Sequence, residues 1–116
     1  MSPPEWHMKL AFEMLELADR SLALKKYPVV VTAVLRAFEE IMEAHAAKDS
    51  GIHFHNDFPD VGPQKRISWV KANRPELFDS WEKILQCIDP KFQDDAKMQQ
   101  MVNILKSVLT PIKTES

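Results

Sequence analysis

One cysteine, two glycines and no long apolar run set the first limits on this chain of 116 residues. With Cys87 alone, no intramolecular disulfide forms and no cysteine-based zinc site can be built within one chain. No apolar run approaches the ~18 residues of a membrane span. No basic segment followed by an apolar stretch opens the sequence, so neither a span nor a leader is expected. The charge is nearly balanced, -2 overall with a pI of about 6.1, which gives no general attraction to DNA or to an anionic membrane, although a local basic patch remains open. A cytoplasmic home is the simplest expectation.

What is present is ordinary globular composition: 45% hydrophobic and 28% charged, too apolar for a disordered chain. The length is that of one domain, so residues 1–116 are read as a single unit with its own core. The eight prolines then divide it, because five places put proline where a helix can begin: Pro3-Pro4, Pro28, Pro63, Pro75 and Pro90. The proline ring fixes φ near the helical value, and its missing N–H would lack an intrahelical partner in the first turn anyway. The expected fold is therefore all-α, a four- to five-helix up-and-down bundle.

The first helix opens on a capping box, Ser2 to Glu5, and is expected to run to about Lys26, with Trp6, Leu10, Met14, Leu17, Ser21 and Leu24 as its inward stripe, widened by Ala11, Ala18 and Leu22. The short link at Tyr27-Pro28 favours an antiparallel return. Val29-Val30-Val31 has strand propensity, but Val30, Val34, Phe38, Ile41 and His45 recur at helical spacing and make the second helix the central one, ending at Gly51. Phe54 and Phe58 are expected to pin the loop from Ile52 to Gly62. Three further helices follow: about Pro63–Ala72 with Ile67 and Val70 inward, about Pro75–Ile88 with Leu77, Trp81, Ile84 and Ile88 inward, and one opening at Asp89-Pro90 or, through a second cap, at Asp94 or Asp95. Met98, Met101, Leu105, Val108 and Ile112 line that last helix, which Thr110-Pro111 should end or kink.

Leu15–Ala23 with the turn at Tyr27-Pro28, the run Ala33–Ala47, and above all Gly51-Ile52-His53 through Asp60-Val61-Gly62-Pro63 carry a family likeness. The chain resembles a small prokaryotic or archaeal HEPN domain, in which a helix ending near a glycine is followed by a histidine and a short Asp-Val-Gly-like segment. The resemblance covers about three quarters of the chain. It implies a bundle of four or five helices and frequent homodimers. It also implies one of two modes: metal-independent RNase activity from an Arg and a His four to six residues apart late in the chain, or a noncatalytic module that binds a nucleotide or works beside a small nucleotidyltransferase. The RNase pair is absent here, since the last histidine is His55 and Arg36 and His45 have eight residues between them. Without such a general acid or base the rate falls typically 10²–10⁴-fold, so a noncatalytic module is expected, and a toxin-like RNase with a rearranged site using His53 or His55 and Arg66 is the alternative.

Three clusters are candidates for chemistry. His53, His55 and Asp57 offer imidazole and carboxylate in His-x-His spacing, a set suited to zinc, with His45 a turn before the helix end; solvated loop histidines are the plainer reading. Lys65, Arg66, Lys71 and Arg74 form a basic group around a helix N-terminus at Gly62-Pro63 that would suit phosphate, and with His53 and His55 they are the best nucleotide candidate, against a plain solvated face. Arg36 with Glu39, Glu40 and Glu43 would make a buried polar site, yet i,i+3 and i,i+4 spacing is ordinarily that of a surface ladder, and that is the reading preferred here. No bound cofactor is expected.

Overall fold

A computed structural model describes residues 3–89 and 91–115, the side chains of His55, Asn56 and residues 110–115 excepted. The elements are α1 (Pro3–Ala23), α2 (Tyr27–Ser50), a single turn α3 (Phe54–Asp57), α4 (Gly62–Asn73), α5 (Pro75–Gln86) and α6 (Asp95–Glu115), with no strand among the described residues. The fold is the all-α bundle expected, built from five principal helices.

Helix starts follow proline closely. Pro28, Pro63 and Pro75 each stand in the first turn of α2, α4 and α5. The sixth element departs from expectation: Asp89 closes a short turn, accepting from Lys91 N–H at 2.9 Å, and α6 begins only at Asp95, where the Asp94 side chain accepts the Lys97 N–H at 2.8 Å. An aspartate three residues before the orphan N–H is the standard N-cap geometry, so the second of the two candidate caps prevails. α6 runs through Pro111 to Glu115 rather than ending there. Ser2 and Pro90, and the side chain of Ile112, lie outside the described residues.

The first helix stops about three residues sooner than the sequence suggested. α1 ends at Ala23, where Lys26 N–H reaches Ser21 C=O at 2.8 Å and Lys25 N–H reaches Leu22 C=O at 3.0 Å. These two bonds make a Schellman stop, and Lys25 takes the left-handed position at φ 56° that glycine would occupy without strain. Lys25 Nζ and Tyr27 Oη both reach Asp95 Oδ1, at 3.1 and 3.2 Å, tying this turn to the start of α6. Gly51 ends α2 as expected, at φ 67°, its N–H bonded to Ala47 C=O at 3.1 Å.

The core lies between α1, α2 and α6, with α5 closing it. Val30, Val34, Phe38, Ile41 and Met42 of α2 meet Met98, Met101, Val102 and Leu105 of α6, Val70 of α4 and Ile84 of α5, all fully buried. Phe38 stacks obliquely on Trp81 at 5.9 Å, and Phe38 and Ile41 each contribute roughly 1.5–3 kcal/mol by burial. On α1 the buried residues are His7, Ala11, Ala18, Ser21 and Leu22, the last four within the expected stripe and its flank, while His7 is buried in place of Trp6. Trp6 and Leu24 are exposed; the small Ala11 and Ala18 set the face that approaches α2 and α6, and the larger side chains flank it.

Candidate functional site

The polar centre of the molecule is a row along α2. Arg36, Glu40 and Glu43 follow one another at i, i+4 and i+7, so they share one face. That face is not the solvent ladder the spacing suggested: Glu40 and Glu43 are 2% and 1% exposed. The reason is tertiary. α2 is enclosed by α1 on one side and by α3 and α4 on the other, so little of its circumference is left for water.

Each carboxylate is matched by a partner from a neighbouring element. Glu40 Oε2 meets His7 Nδ1 of α1 at 2.5 Å, while its Oε1 takes Arg36 Nη2 at 3.1 Å from one turn earlier on α2. Glu43 Oε1 takes Arg66 Nη1 of α4 at 3.1 Å, and its Oε2 accepts the Phe54 N–H of α3 at 3.3 Å. Glu39 adds a longer approach to Arg66 Nη2 at 3.9 Å. Taking carboxylates out of water costs several kcal/mol per ion, and pairing with hydrogen bonds to both oxygens is what makes such burial tolerable. Arg66 Nε is buried with no hydrogen-bond partner.

The basic group expected around α4 is therefore divided. Arg66 is 5% exposed and committed to Glu43, so it is not part of a solvated face. Arg74 donates from Nε and Nη2 to Asp49 Oδ2, at 3.0 and 2.8 Å. Lys65 is exposed with Nζ 4.8 Å above the Phe58 ring, and Lys71 stands 5.6 Å from the Phe78 ring. The N-terminus of α4 is closed at one point: Gly62 is buried, and a Cβ there would stand 3.0 Å from Phe54 C=O. A side chain here would press on the α3 backbone, which would have to give by a few tenths of an ångström, and glycine avoids that contact.

The loop expected from Ile52 to Gly62 contains a single helical turn, α3. Phe54 is buried and Phe58 packs on it at 6.2 Å, so the two phenylalanines do pin it. His53 precedes α3, half-buried, and its backbone N–H donates to Asp57 Oδ2 at 3.0 Å. The His55 side chain lies outside the described residues, and among the described residues no three His, Cys, Asp or Glu side chains form a metal-holding group. His45 is buried on α2.

The sequence reading missed His7 altogether. It was hidden beside Trp6, which looked like the core residue of that turn. An available signal was the antiparallel pairing of α1 and α2 about the turn at Lys25, which sets His7 opposite Glu40. Comparisons with protein-family models, with curated proteins and with solved structures found no match. Among the described residues no helix is long and apolar enough to cross a membrane.

Proposed function

We propose that this chain is a HEPN-like helical module without catalysis of its own, which works by binding: as a homodimer, and through a nucleotide or a partner such as a small nucleotidyltransferase. The observation that carries this reading is the division of side chains. Arg66, which would hold the phosphate in a rearranged nuclease with His53 or His55, is buried against Glu43. A scissile phosphate would have to displace Glu43 to reach Arg66. Large apolar side chains stand exposed instead: Leu24 at 66% and Phe92 at 67%, with Val29 beside the same turn. The Lys25–Asp95 bond brings that turn to the start of α6, so all three belong to one end of the bundle. Exposed apolar side chains gathered at one end favour association over solvation.

Native mass spectrometry of the purified chain tests this, because subunit number and any bound nucleotide or zinc are read together. A dimer that Leu24→Glu converts to monomer is the expected result. A wild-type monomer at tens of micromolar would refute self-association through this end.

A further inference from the structure

We draw no further inference here: the strongest candidate, the exposed apolar patch of Leu24, Val29 and Phe92 at the end of the bundle tied by Lys25 and Asp95, belongs to the surface already described for self-association, and nothing in the structure shows what else would cover it.

Discussion

Glu43 is the side chain on which two neighbours depend, and Glu43→Ala puts the energetics of the polar row to the test. The substitution leaves the Arg66 guanidinium, 5% exposed, with Glu39 at 3.9 Å as its remaining carboxylate, and takes the acceptor from the Phe54 N–H. Breaking a buried pair from one side costs about 3–5 kcal/mol, because a charge is stranded. Against a total stability of roughly 5–15 kcal/mol, that is a large share. In urea, with a slope of about 1.5 kcal/mol/M, the unfolding midpoint should fall by about 2–3 M, followed by far-ultraviolet circular dichroism. Removing both charges is a different perturbation. In Glu43→Met combined with Arg66→Met the desolvation penalty disappears together with the attraction, and what remains is the cost of one buried Phe54 N–H left without its acceptor. The double variant should therefore unfold within about 2 kcal/mol of wild type. A loss below about 1 kcal/mol in Glu43→Ala, or a double variant as unstable as the single, would refute the claim that a stranded charge sets the cost.

Other expectations follow from particular contacts. Gly51→Ala meets nothing within 4 Å, so its cost is purely that of a left-handed backbone at φ 67°, about 1 kcal/mol in urea titration; no loss would mean the α2 stop had moved. The Asp95 carboxyl is held below its ordinary value of 3.8, first by the hydrogen bond from Lys25, and Lys25 is raised above 10.5 by the same bond. A lowered carboxyl stabilises above its unfolded pKa and loses that stability as pH falls through the folded value, whereas a raised lysine loses it as pH rises through its own. The stability difference between wild type and Asp95→Asn should thus be flat from about pH 5 to 9 and shrink toward both extremes; a difference independent of pH would remove the charge from the explanation. Burial pushes the Cys87 thiol up, with Lys97 opposing more weakly, so Cys87 should react slowly with a thiol reagent at neutral pH until urea opens the core. Equal rates in folded and unfolded chain would show that the thiol is accessible.

The backbone was easier to read than the faces. Pro28, Pro63 and Pro75 start helices and Gly51 ends one because these residues act through their own dihedral angles, and no neighbour is needed for the effect. Lys25 escaped notice at the end of α1 because a non-glycine in the left-handed position leaves no compositional mark. α3 escaped for a related reason: one turn of helix in a loop is held by Glu43 and Gly62 from elsewhere in the chain, not by its own propensity. The buried lines of α2 and α6 were legible because they recur over many turns. On α1 the expected line holds at Ala11, Ala18, Ser21 and Leu22 and fails at its two ends, where Trp6 and Leu24 are exposed and His7 is buried instead.

Of the candidate site, Arg36 and Arg66 were visible as residues but not as what they are. Periodicity assigns charged positions to the side away from the apolar stripe, and for a helix at the edge of a fold that side meets water. α2 is not at the edge. Its polar side is covered by His7 from one direction and by Arg66 and Phe54 from the other. The amino-acid sequence by itself determined where α2, α4 and α5 begin, where α2 ends and that the long helices share one apolar core, because proline, glycine and helical spacing act locally. Only the tertiary structure decided that Glu40 and Glu43 are buried and whom they bind. Desolvation and charge pairing depend on which distant element arrives at a given face, and no local pattern carries that information.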